Sequence, residues 1–170
     1  MKYVTIFLTC VTAVFMWGCP PLPADVNPGY SAYEPILADR SSLDNIVFSE
    51  PATIVNSGKI YAYAQYVLVN EVDKGYHIID NSDPSQPKNV GFLSIPASRD
   101  AVGRNGILYC DNATDMISVD VSDIRNPKVL SRIENIFPHS EPPDGLPPHP
   151  DYTAGNRPDN TVVIEWRVRQ

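Results

Sequence analysis

The chain has 170 residues, 43% hydrophobic, 19% charged and 9% aromatic, with 20 acidic against 13 basic side chains and a net charge of −7. Such a composition is globular, neither a disordered acidic tail nor a membrane bundle, and an acidic surface with no Lys/Arg run argues against nucleic acid, whose phosphates need clustered cations. Seventeen prolines leave little room for long helices, and three cysteines cannot build a disulfide framework.

Residues 1–18 read as a signal peptide. Lys2 is a short positive start, and residues 4–17 are uncharged and apolar, too short to span ~30 Å of hydrocarbon as a helix. The stretch ends in Gly18-Cys19 and runs into PPLPADVNPGY, a pattern that resembles a bacterial lipoprotein signal. The resemblance implies cleavage before Cys19 and acylation of its sulfur and new amino group. Acyl chains contribute ~0.8 kcal/mol per buried CH₂, so two or more hold a domain on a bilayer without a spanning helix. An ordinary secretory signal cleaved elsewhere is the alternative, with Cys19 left as a free thiol. Residues 19–44, with Pro20, Pro21, Pro23 and Pro28, read as an extended tether between membrane and domain.

A repeat follows. GYHIIDNSDPSQPKNVGFL, from Gly75, matches DMISVDVSDIRNPKVLSRI, from Asp115, at an offset of 40 without a gap. The coincident pairs are Asp80/Asp120, Ser82/Ser122, Asp83/Asp123, Pro87/Pro127 and Lys88/Lys128, and upstream LVNE falls on LYCD. A 40-residue period of short β-rich runs is the sign of β-propeller blades. Each copy parses into four strands, starting at Lys59, Tyr66, Gly75 and Lys88 and at Arg99, Gly106, Asp115 and Lys128. Asn105-Gly106 suits a tight hairpin that needs positive φ, whereas Gln65-Tyr66 predicts another turn type or a longer turn. Val67-Leu68-Val69 and Ile107-Leu108-Tyr109 are apolar on both faces, which predicts sheets stacked face to face. Ile117, Val119 and Val121 alternate, as expected nearer the rim, and His77, which aligns with Ile117, reads as a rim or core residue.

The carboxylates at 80, 83, 120 and 123 offer too few oxygens for Ca²⁺ and lack the acidic loop with its turn glycine and terminal Glu. Ser82 and Asp83 are expected to cap the turn by bonding backbone N–H groups, with Ser122 and Asp123 at the same places in the second copy and Pro87 or Pro127 fixing φ before the next strand. The runs YHIIDNSDPSQPKNVG and MISVDVSDIRNPKVLS resemble LVIVD repeats, named for the strand before this turn; Ile124 stands where the second copy would have the usual proline. Residues 46–138 together resemble Bacteroidetes-type exported lipoproteins carrying that repeat. The resemblance implies a β-propeller-like exported lipoprotein of unassigned activity and offers no catalytic residues to carry over.

Four blades of 40 residues would nearly exhaust the chain, so a closed propeller is not expected. The predicted fold is all-β: two four-stranded blades over residues 45–137, a Pro-rich loop over 138–160 and a C-terminal strand over 161–170. NIVFSEPATIV, from Asn45, and TVVIEWRV, from Thr161, are expected to pair with each other or to cap the two ends of the stack, because bare blade faces compromise solubility. The loop gathers His139, Glu141, Asp144, His149 and Asp151, but His-x₉-His is not an established zinc spacing, and its prolines favour extended geometry. Cys110 in a strand reads as a small hydrophobe. Tyr61, Tyr63, Tyr66, Tyr76, Tyr109 and Trp166 read as packing rather than a sugar platform. No G-x-S-x-G, CxxC, HExxH or phosphate-binding glycine loop occurs. The expectation is a non-enzymatic, cofactor-free lipoprotein of the bacterial outer membrane, facing periplasm or cell surface, that binds protein or glycan partners. Alternatives are a self-assembling structural lipoprotein and a metal-assisted hydrolase built on the Pro/His-rich loop.

Overall fold

A computed structural model describes residues 29–170. The expected signal peptide, the lipidation position Cys19 and the first part of the tether lie outside the described residues. The fold is all-β and holds no closed barrel among the described residues.

The first repeat forms strands β3 (Ser57–Tyr63), β4 (Tyr66–Glu71), β5 (Gly75–Asp80) and β6 (Lys88–Ser94). The second forms β7 (Ala101–Arg104), β8 (Ile107–Asn112), β9 (Asp115–Asp120) and β10 (Lys128–Ile133). Each set is an antiparallel meander, and β2 (Val47–Ser49) adds a fifth strand to the first blade, beside β6. β1 (Tyr33–Asp39) pairs antiparallel with β11 (Thr161–Val168) in a separate two-stranded sheet.

Two expectations are corrected here. Residues 33–39, expected within the tether, are a strand, and residues 40–44 are a 3-10 turn capped by Asp39, whose side chain accepts the Ser41 N–H at 2.8 Å. The sheet's other strand starts 122 positions later in the sequence, at Thr161, so nothing local announces it. Pro35 is tolerated because both strands of a two-stranded sheet are edges. The segment from Asn45 and the C-terminal strand do not pair with each other: β2 extends the first blade at its edge beside β6, and β11 pairs with β1.

The repeats are equivalent where the gapless match places them. Asp80 pairs with Lys88 and Asp120 with Lys128. The backbone N–H of Gln86 reaches Asp83 O at 2.9 Å, and that of Asn126 reaches Asp123 O at 3.0 Å. Upstream the offset becomes 41, because the β4–β5 loop holds Val72, Asp73 and Lys74 where the β8–β9 loop holds only Ala113 and Thr114. The LVNE-on-LYCD match is therefore one residue out of register, and Leu68 corresponds to Tyr109. Both first hairpins have two-residue turns: Asn105 and Gly106 at φ 50° and 82°, and Ala64-Gln65 with Ala64 at φ 50°. The first turn is thus no longer than the second, and Tyr66 already begins β4.

That single residue matters because side chains alternate between faces. Tyr61, Leu68, Tyr76, Ile78 and Leu93 of the first blade meet Leu108, Cys110, Ile117 and Val119 of the second in one core. Ile117 and Val119 are equivalent to His77 and Ile79, which lie on the first blade's other face. The blades therefore stack head to tail, one face of the first on the opposite face of the second. Ile117 and Val119, expected near the rim, are fully buried between the blades.

Candidate binding groove

Head-to-tail stacking leaves two unlike outer faces. On the first blade, the outer face carries Val67, Val69, Glu71, His77, Ile79 and Asn89. Residues 50–56 leave β2 at one edge of the sheet and reach β3 at the opposite edge, strapping this face on the way. Asn89 Nδ2 donates to Ala52 O at 3.2 Å, and the N–H groups of Val55 and Asn56 donate to the Glu71 carboxylate at 3.0 and 2.7 Å. Beneath the strap, Glu71 Oε2 lies 3.0 Å from His77 Nε2, and both residues are buried. Burial pushes the Glu71 carboxyl up, but those N–H donors and His77 outweigh it, so the group is held below its ordinary value.

On the second blade, the outer face carries Val102, Tyr109, Met116 and Ser118. These are the counterparts of Tyr61, Leu68, Tyr76 and Ile78, the residues of the first blade on which the second blade sits. Here no third blade follows. The chain instead turns at residues 135–141 and lays Phe137, Pro138, His139, Ser140 and Glu141 along the rim, while β11 contributes Val163. The Phe137 N–H donates to Thr114 O at 2.9 Å, and Trp166 Nε1 donates to Ser140 Oγ at 3.2 Å. The result is an open groove of about 910 Å³ with mostly apolar walls, a volume typical of ligand pockets. Val102 remains 61% exposed and Tyr109 37%.

One end of the groove is charged and rigid. Arg99 forks onto Asp73 through Nε at 2.5 Å and Nη2 at 3.1 Å. Asp111 Oδ1 accepts the N–H groups of Arg99 and Asp100 at 2.8 and 2.9 Å and the Ser98 hydroxyl at 3.1 Å. Since Ser98 donates to Asp111, the Tyr76 hydroxyl donates to Ser98, 2.7 Å away. Asp100 also accepts from Lys59 Nζ and from the Tyr61 hydroxyl, the bond to Lys59 being the first reason its carboxyl is held low.

The terminal sheet is docked by a second cluster. Asp115, fully buried, accepts from Arg40 Nη2 at 2.5 Å, Arg132 Nη1 at 2.7 Å, the Asn135 N–H at 3.0 Å and Thr114 Oγ1 at 3.3 Å. Burial pushes this carboxyl up; the Asn135 N–H and the two guanidiniums more than offset it and hold it low. Arg132 Nη2 also reaches Leu43 O and Asp44 Oδ1, tying the 3-10 turn to the second blade.

The turn residues singled out in the sequence lie away from the groove. Asp80 Oδ1 accepts the N–H and hydroxyl of Ser82 at 2.9 and 2.6 Å, and Asp83 Oδ1 those of Ser85 at 3.0 and 2.7 Å. In the second copy, Asp120 accepts the Ser122 N–H at 2.9 Å, and Asp123 accepts the Arg125 N–H at 3.1 Å. The caps are therefore Asp80 and Asp83, and Asp120 and Asp123; Ser82 donates its hydroxyl instead of capping. These bonds to serine and asparagine neighbours hold the four carboxyls low. Pro87 and Pro127 stand immediately before β6 and β10.

The titratable residues of 138–151 are dispersed. His139 and Glu141 line the groove, Asp144 binds Ser31 Oγ and the Ala32 N–H, and His149 Nδ1 lies 3.2 Å from Asp151. No group of three or more His, Cys, Asp or Glu side chains placed to hold a metal ion occurs among the described residues. Cys110 is buried in the inter-blade core, where desolvation pushes its thiol up. No helix among the described residues is long and apolar enough to cross a membrane. No family model, no curated protein and no solved structure matches the chain.

Proposed function

We propose that the protein is a partner-binding module of a bacterial envelope, lipid-anchored at Cys19, in which LVIVD-type blades present the groove on the second blade to a polypeptide partner. The observation that carries this reading is the groove itself. Its floor is made of the residue positions that, one repeat earlier, hold the adjoining blade, so the surface has the chemistry of a protein interface while remaining open. Val102, Tyr109, Met116, Phe137, Pro138 and Val163 favour an apolar polypeptide segment over a glycan, which needs a higher density of polar partners. The charged end at Arg99, Asp100 and Asp111 would fix its orientation. The reading is of binding without catalysis.

The test places a photo-crosslinking amino acid at Val102 and, as a control, at Val168, which is exposed but away from the groove. In native envelopes a discrete adduct from position 102, absent from position 168 and competed away by purified protein, supports the reading. Equal labelling from both positions overturns it. Anchoring is tested separately, by fatty-acid labelling that Cys19→Ala abolishes.

A further inference from the structure

The strap of residues 50–56 is held to the first blade by polar bonds rather than by burial. Its residues are exposed, Val55 to 81% and Ile54 to 44%, so their side chains add little apolar anchoring. Beneath it, the Val55 N–H reaches Glu71 Oε2 at 3.0 Å, the Asn56 N–H reaches Oε1 at 2.7 Å, and His77 Nε2 lies 3.0 Å from Oε2. An ionised carboxylate only accepts, so Nε2 carries the imidazole proton and donates it. His77 Nδ1 is then a bare acceptor, fully buried and without a hydrogen-bond partner among the described residues.

This pair holds one proton and has no good place for a second. A proton on Oε2 turns the acceptor of Val55 and His77 into a donor, and one on Oε1 does the same opposite Asn56. A proton on Nδ1 makes a charged imidazolium with a buried N–H and no acceptor. Among the described residues no other charged side chain bonds to Glu71 or His77. Glu50 on the strap and Lys74 after β4 are exposed, Lys59 of β3 binds Asp100, Asp73 binds Arg99, and Lys88 of β6 pairs with Asp80. β2 brings no charge, and β6 presents the Phe92 ring, 4.9 Å from the imidazole.

We propose that the strap is an acid-released cover: a second proton entering the Glu71–His77 pair frees residues 50–56 and bares the outer face of the first blade while both blades stay folded. The strap gives first because little else holds it, the Val72 N–H to Asn56 O at 3.0 Å and Asn89 Nδ2 to Ala52 O at 3.2 Å. The face it bares includes His77 and Ile79, the counterparts of Ile117 and Val119, with which the second blade packs on the first. Acid therefore exposes a surface of the kind this fold buries between blades. The device is separate from the groove and stands whether or not the groove binds a partner.

Amide protection factors, corrected for intrinsic exchange at each pH, test this on the full chain in mild detergent. Val55 and Asn56 should lose protection about tenfold per pH unit once pH falls below the folded-state value of Glu71, the slope of a single proton. That value lies below the ordinary 4.5. Amides of β8 and β9 should keep their protection over the same range. Glu71→Gln should flatten the strap's profile, because no carboxylate remains there to titrate. His77→Ile, which copies the second blade's side chain, should move the loss to higher pH, because contact with His77 helps to hold the carboxyl low. Strap amides that lose protection only together with β8 and β9, a Glu71→Gln profile parallel to that of the natural protein, or an unmoved midpoint in His77→Ile each overturns the proposal.

Discussion

Tyr63, the last residue of β3, fills the space that a side chain on Gly103 of β7 would need: a Cβ there would stand 2.2 Å from Tyr63 Cδ2. The two residues belong to different blades, so this is where the edge strands β3 and β7 approach each other, beside the Lys59 and Tyr61 contacts to Asp100. Gly103→Ala forces the ring aside and should destabilise the fold by about 1–3 kcal/mol, the usual range for overpacking. In a Tyr63→Ala background the same change should cost much less. Urea titrations of the four proteins measure the coupling, and equal costs in both backgrounds contradict the inter-blade contact.

The Asp115 cluster makes a second prediction. Removing one partner from a buried, multiply bonded carboxylate strands the remaining charges, at about 3 kcal/mol. Asp115→Asn should therefore lower the unfolding free energy by about that amount and raise amide hydrogen exchange in residues 40–44, which Arg40 and Arg132 hold in place. Arg40→Met alone should be milder, because Arg40 is partly solvated and Arg132 still neutralises Asp115. If exchange in residues 40–44 is unchanged in Asp115→Asn, the cluster does not dock that turn.

Both predictions use contacts that sequence periodicity conceals. The repeat was legible because Asp80 with Lys88 and Asp120 with Lys128 are local constraints, and because Asn105-Gly106 is a local demand for positive φ. Alternation along β9 showed that Ile117 and Val119 share a face, but not what that face meets. The answer depends on head-to-tail stacking, which buries opposite faces of equivalent strands. The strap over His77, β1 against β11, and the groove floor at Tyr109 and Met116 join residues far apart in sequence. Glu71 is hidden for the same reason: its value lies in Val55, Asn56 and His77 converging on it, and residues 50–56 look like an ordinary loop. An acid closing the apolar run YVLVNE, one residue beyond Asn70, is the available signal.

Glu71 makes the third prediction. Its carboxylate is the main polar anchor of the strap, accepting two backbone N–H groups while contacting His77. Glu71→Gln keeps the shape but weakens charge-assisted bonds to ordinary ones, worth about 1–2 kcal/mol in all. Hydrogen exchange should rise at Val55 and Asn56 and stay unchanged in β8 and β9. An increase spread evenly over both blades would mean that Glu71 supports the whole fold rather than the strap.

The same carboxylates set the response to acid. Glu71 and Asp115 have folded-state values below their unfolded ones of about 4.5 and 3.8. A depressed carboxylate contributes stability that is fully present above the unfolded value and is lost as pH falls through the folded value, where protonation cancels the advantage. The urea midpoint should therefore be nearly level between pH 7 and 5 and fall steadily below about pH 4.5. Because the chain carries a net charge of −7 at neutral pH, protonating its acids also removes surface repulsion, which opposes the fall. The slope below pH 4.5 in the natural protein, less that in the Glu71→Gln and Asp115→Asn variants, isolates the two buried groups. Slopes that coincide in all three proteins would assign acid sensitivity instead to the other carboxylates held low, the turn residues Asp80, Asp83, Asp120 and Asp123 and also Glu34, Asp39, Asp100 and Asp144.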